Sequence, residues 1–298
     1  MRSPAEEDSR FRGVSATALL MLLAAAILHA GWNLLVKQAA EKYVFTWWAL
    51  LASVLLFSPV LLWSAPWTPR VWPYVLASAL CETAYFIALV TAYRLADFSL
   101  VYPLARGTAP ALLALGAVVW LKEDLRLGGV LGLAVLILGL LVVGVTGAAR
   151  EAGPSKHPWA GVTAALAVAV FISLYTVIDG AAVRFVSPMA YITLVLGLTA
   201  LFLTPFVLLR YDRRVLLAEV RRHWPRIIAV GALSLISYGL VLFAFTLAPV
   251  AYAGAVREVS VVFAALAGWW WLGEPMGWRR VVGAVLICVG IGLITVAG

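Results

Sequence analysis

The chain is poor in charge and in cysteine. Only 12% of its 298 residues are charged and 64% are hydrophobic, whereas a soluble domain carries about 25% charged residues. Helices of a soluble fold need polar outer faces, yet residues 130–149 pass without a single charge. A run of that length matches the roughly 30 Å hydrocarbon core of a bilayer. The cysteines are Cys81 and Cys288, each inside an apolar run. That excludes a disulfide framework and leaves them as small packing residues. Also missing are the alternating segments of roughly ten residues that build a membrane barrel and the GxxxxGK[ST] loop of a nucleotide-driven pump. No HExxH, GxSxG or paired-aspartate motif occurs, and two of the three histidines, His157 and His223, fall in loops. No cofactor or metal is expected. A membrane enzyme or a purely structural scaffold is the weaker reading. The net charge of +8 is no nucleic-acid signal, because six arginines crowd residues 210–226 and the rest are scattered. That run reads as an amphipathic segment on anionic lipid.

What remains is an all-α polytopic membrane protein. Hydropathy and turn residues predict ten transmembrane helices over 14–36, 43–63, 73–93, 99–121, 127–147, 158–178, 188–209, 226–247, 250–272 and 278–297. Residues 1–13 read as a disordered tail. Tryptophans gather near the predicted ends, as an interfacial belt requires. Trp120-Leu121-Lys122-Glu123-Asp124 returns as Trp271-Leu272-Gly273-Glu274-Pro275, an offset of 151 residues. At that offset Arg106 falls on Arg257, Gly132 on Gly283 and Gly139 on Gly290. The chain thus divides into two five-helix repeats, 14–149 and 158–298. Five crossings are odd, so the second repeat enters from the opposite face, and inverted repeats of this kind place a solute site at their interface.

The ten-span plan, the doubled WLxE motif and the Trp32-Asn33 pair in the first span resemble the drug/metabolite transporter superfamily, in particular its EamA-type members. The resemblance implies a bundle around a central cavity, alternating access and, in many relatives, export of amino acids or other metabolites. It implies a multi-pass protein of the bacterial cytoplasmic membrane, with both termini in the cytoplasm. Loop charge points the other way. With the termini inside, thirteen basic residues lie outside and seven inside, the reverse of the positive-inside bias. The oligomeric state is open between monomer and homodimer.

An ionisable side chain at bilayer depth costs about 3 kcal/mol, so it faces a cavity and has a partner. Glu82 falls near the middle of the third span, Arg106 in the fourth, Arg257 and Glu258 in the ninth and His29 in the first. Helical spacing groups His29, Trp32 and Asn33 on one stripe, Glu82 with Tyr85 on another, and Tyr102 with Arg106 on a third. Tyr175 precedes Asp179 by four residues, but Asp179 falls near a span end. Tyr238 completes the eleven candidate solute-binding residues: His29, Trp32, Asn33, Glu82, Tyr85, Tyr102, Arg106, Tyr175, Tyr238, Arg257 and Glu258. Each has a bland alternative. Arg106 can pair with Glu82 or Glu258 to lock the bundle, and Asn33 can bridge helices. Two arginines against two glutamates suit a small zwitterion such as an amino acid. A solute held by both arginines would be an anion such as a phosphonate, and one caged by aromatics would be an organic cation. Glu82 and His29 are the candidates for a coupling proton. Gly128, Gly132 and Gly139 on the fifth helix, and Ala284, Cys288 and Gly292 on the tenth, are expected to form close-packing faces. Pro103 and Pro110 are expected to bend the fourth.

Overall fold

The computed structural model describes residues 13–39, 41–64, 68–95, 98–151, 158–272 and 277–298, with only the backbone described at Tyr102 and several helix ends. Every regular element among them is helical. The helices are α1 (Ala16–Lys37), α2 (Lys42–Trp63), α3 (Trp72–Leu95), α4 (Phe98–Trp120), α5 (Leu127–Glu151), α6 (Pro158–Ala182), α7 (Pro188–Arg210), α8 (Arg213–Phe245), α9 (Val250–Arg257), α10 (Ser260–Leu272) and α11 (Trp278–Ala297). Lipid offers the backbone no hydrogen bonds, so each segment must satisfy its own polar groups. Helix α1 begins at Ser15, whose Oγ accepts from Ala18 N at 3.2 Å. The hydroxyls of Thr83, Thr176 and Thr193 donate back to the carbonyls four residues earlier, each at 2.7 Å.

Among the described residues, eight helical stretches are long and apolar enough to cross a membrane, and Leu104–Trp120 and Leu127–Val143 are shorter apolar ones. A methyl group on Gly13 would lie 3.2 Å from the Gly298 carbonyl oxygen. The two ends of the described chain therefore lie beside each other.

Helices α5 and α11 pack backbone to backbone. A Cβ on Gly132 would stand 2.8 Å from Gly290 O, and one on Gly139 would stand 2.7 Å from Gly283 O. As one residue number rises by seven the other falls by seven, so the two helices run antiparallel. At the 151-residue offset each glycine faces the counterpart of the other. The expected face on the last helix was misplaced. Its contact stripe is Gly283, Ile287, Gly290 and Ile294, whereas Ala284 and Cys288 border an outward groove against Val262 and Leu266. A Cβ on Gly292 would meet nothing within 4 Å. Small residues mark both stripes, and spacing alone does not choose between them.

Two further expectations are corrected. The arginine-rich run is not one loop: Arg210 ends α7, and residues 213–226 form the first turns of α8, one helix of 33 residues. Its first turns hold Trp48, whose Nε1 donates to Leu216 O at 3.0 Å. The fourth span continues as a single helix through Pro103 and Pro110. The ninth span, expected as one run over 250–272, divides between Arg257 and Ser260 into α9 and α10.

Candidate functional site

The break in the ninth span positions a pair of buried charges. Glu258 N donates to Ala255 O at 2.9 Å, Val259 N to Val256 O at 3.0 Å and Val261 N to Glu258 O at 3.0 Å. These three-residue bonds tighten the chain into a short 3₁₀-like turn, which re-aims the side chains leaving it. Arg257 and Glu258 sit there, 8% and 2% exposed. Arg106 reaches across from α4 and places Nη1 3.1 and 3.0 Å from the two Glu258 oxygens. Arg257 Nη2 lies 3.5 Å from Oε1. One carboxylate is thus shared by two guanidiniums from different halves of the chain. Of the two pairings expected for Arg106, the structure forms the one with Glu258. The Arg106 side chain keeps 22% of its surface accessible, against 2% for its partner.

An aromatic ladder leads away from this triad. The Arg257 guanidinium lies 5.9 Å from the centre of the Tyr238 ring on α8, within cation–π range. Tyr238 meets Tyr175 of α6 edge to face at 6.2 Å, and Tyr175 meets Tyr85 of α3 at 6.1 Å. Glu82, one turn before Tyr85, accepts from Thr199 of α7 at 2.8 Å. The α1 residues form their own group: His29 and Trp32 pack edge to face at 4.8 Å, and His29 is within electrostatic reach of both arginines. Asn33 Nδ2 donates to His29 O at 2.7 Å. It closes a turn of its own helix, so the bridge between helices expected for it does not form through this donor. The indole Nε1 of Trp32 is buried and has no hydrogen-bond partner among the described residues. The side chain of Tyr102 lies outside the described residues.

Two features were missed or undervalued from the sequence. Asp179, set aside as near a span end, is completely buried. It accepts from Ser78 Oγ of α3 at 2.5 Å, Tyr191 OH of α7 at 2.7 Å and Tyr238 OH of α8 at 2.5 Å. The signal available was its four-residue spacing from Tyr175. Glu123, the acid of the first WLxE motif, lies in the α4–α5 loop and accepts the amides of Val250 at 2.6 Å and Ala251 at 3.1 Å. It caps α9, whose N-cap Pro249 has no side-chain acceptor. Burial pushes the Glu123 carboxyl above its ordinary range, against the pull of the two amides.

Comparison with known proteins bears on this arrangement. The EamA-like transporter family matches residues 16–145 and again residues 159–296. The chain belongs to the EamA-like transporter family. Two family segments in tandem account for the 151-residue offset and for the glycine pairs of α5 and α11. The membership makes this EamA protein a multi-pass membrane protein of a transporter family. No curated protein sequence matches the chain. A solved crystal structure, described only as that of a protein, superposes on 94% of this chain and 99% of its own, with a TM-score of 0.77 and 19% identity. At that identity the likeness shows the fold alone.

Proposed function

We propose that this EamA protein is a secondary transporter of small zwitterionic metabolites such as amino acids. It works by alternating access between two inverted five-helix halves, as an exporter in the bacterial cytoplasmic membrane. The observation that carries this reading is the triad at the broken ninth span. Glu258 draws Arg106 and Arg257 together, and two guanidiniums beside one carboxylate give this end of the site the positive character that a solute carboxylate would meet. Glu82, on the far side of the tyrosine ladder, is placed for the amine. A discontinuous helix bearing charge at membrane depth is the usual position of a solute site in inverted-repeat transporters. The partial exposure of Arg106 supports an internal wet space, since its ion-pair partner is fully enclosed. Among the eleven candidate residues, Arg106, Arg257 and Glu258 form the acid-binding end. Tyr85, Tyr175 and Tyr238 form the wall, Glu82 the amine end, and His29 with Trp32 a flank.

The test is uptake into proteoliposomes, with unlabelled amino acids, alkyl phosphonates and quaternary amines as competitors. Competition by amino acids that disappears in Arg106→Ala supports the reading. Competition by phosphonates alone would make the solute an anion held by both arginines, and competition by quaternary amines alone would make it a cation. Either outcome overturns the zwitterion assignment.

A further inference from the structure

The buried carboxyl of Asp179 takes no part in the solute site as described above. It sits in the last turns of α6, wholly enclosed, and the hydrogen bonds it accepts among the described residues come from the neutral hydroxyls of Ser78, Tyr191 and Tyr238. An ionised carboxylate enclosed in this way without a bonded cation is costly, and such a group either finds a counter-charge or takes up a proton. Its neighbours can accommodate both states. Oδ1 receives Ser78 Oγ and Tyr191 OH, and Oδ2 receives Tyr238 OH. Tyr191 OH also stands 3.4 Å from the Tyr74 carbonyl oxygen, a second acceptor already in place. The titratable and charged groups around Asp179 are Cys81 and Glu82 on α3, Tyr191 on α7, Tyr238 on α8 and Arg257 on α9. Tyr175 lies one turn back on α6 itself.

From this geometry we propose that Asp179 is the carboxyl that carries the coupling proton of transport, an inference that rests on the transporter reading above. On protonation, the new O–H at Oδ1 donates to the Tyr191 oxygen, and the Tyr191 O–H turns to the Tyr74 carbonyl. No covalent bond other than the O–H is made, and no electron is transferred. The charge balance supports the same assignment. Two arginines, Arg106 and Arg257, and three carboxyls, Glu82, Glu258 and Asp179, make up this set of ionisable groups, so the set is neutral when one carboxyl holds a proton. Glu258 is committed to both arginines, and Glu82 holds a single hydroxyl from Thr199. Among the described residues, Asp179 is the one of the three whose hydroxyl donor has a second acceptor already in place. Its state reaches the solute site through Tyr238, whose hydroxyl is on Asp179 and whose ring lies under Arg257.

Two measurements test this on the full chain in liposomes. In the first, infrared difference spectra are recorded between acid and neutral pH. The wild type should show the carbonyl band of a protonated carboxylic acid, which Asp179→Asn lacks and Tyr191→Phe displaces. A band that persists unchanged in both variants, or that vanishes in Glu82→Gln instead, overturns the assignment. If Asp179→Asn does not fold, the displacement in Tyr191→Phe decides. In the second, a radiolabelled amino-acid mixture is the probe and a gradient of one pH unit is imposed. One proton per solute corresponds to about tenfold accumulation. Asp179→Asn should exchange label but accumulate none, and tenfold accumulation in that variant refutes the proposal. Absence of any wild-type uptake would defeat the zwitterion reading, while the infrared result still decides the proton site.

Discussion

Gly139 on α5 is where the packing of the two halves is most open to a quantitative test. A methyl group there would stand 2.7 Å from Gly283 O and 2.8 Å from Ile287 N. Both are backbone atoms of α11, so no side chain can rotate away. Ordinary van der Waals contact begins near 3.4 Å, so Gly139→Ala must part the helices by about 0.7 Å at that crossing, an overpacking of the kind that costs about 1–3 kcal/mol. At about 3 °C per kcal/mol for a chain of this size, the melting midpoint falls by roughly 3–9 °C. Gly292→Ala is the control. It lies on the same pair of helices but meets nothing within 4 Å, and the exchange gains up to about 1 kcal/mol of helix propensity. The double variant Gly139→Ala with Gly283→Ala should cost less than the two singles together, because one separation of the helices relieves both clashes. Thermal melts of the purified protein in one detergent measure all four. Equal midpoints for Gly139→Ala and Gly292→Ala would refute the packing argument.

Removing one partner of the buried pair, by Arg106→Ala or Glu258→Ala, should each destabilise by about 3 kcal/mol, with strong non-additivity in the double variant; additive losses in denaturant titrations would show that the pair is not coupled. Asn33→Ala should cost no more than about 1 kcal/mol, since its donor serves one carbonyl of its own helix; a larger loss in the same titration would point to a bridge between helices. Glu123 gives a pH test. Its carboxyl is raised by burial, so its protonated form favours the folded state. Its contribution is fully present below the ordinary value of 4.5 and is lost as pH rises through the raised value. Wild-type stability relative to Glu123→Gln should therefore decline as pH increases from 4.5, and a pH-independent difference in thermal midpoints would contradict this.

Much of the fold is legible in the sequence because lipid imposes a one-dimensional rule. Each crossing must be long, apolar and internally hydrogen-bonded, so spans and gaps can be read directly. The repeat is legible for a related reason. Trp120–Glu123, Arg106, Gly132 and Gly139 recur at one offset, and the paired glycines bring the repeated helices into contact. What hydropathy cannot supply is where a helix stops being a membrane span. The 210–226 run is as polar as a loop, yet Trp48 and the buried Leu216 hold its residues 213–226 as part of α8. The break at Glu258 is hidden for a comparable reason. It contains neither proline nor glycine, and the carboxylate that draws two arginines together at that turn is a tertiary cause.

The same limit separates the recovered site residues from the missed ones. Arg106, Arg257, Glu258 and Glu82 stand out because an ionisable side chain in mid-span demands explanation by itself. Asp179 lies within three residues of the end of α6, where a charge is ordinarily assumed to reach water. Depth along one helix is a poor measure of burial when neighbouring helices extend past its end. Here Tyr191, near the start of α7, and Ser78, in the second turn of α3, close over Asp179, while Tyr238 seals it from α8. Each of those hydroxyls is unremarkable alone, since serine and tyrosine are common in membrane helices and their spacing carries no metal or catalytic pattern. Only their convergence on one carboxyl gives them meaning, and it occurs between residues as far apart in sequence as Ser78 and Tyr238. A reading that ranks polar residues by distance from a predicted span centre will therefore recover ion pairs inside a membrane bundle and overlook hydroxyl-bound acids near its ends.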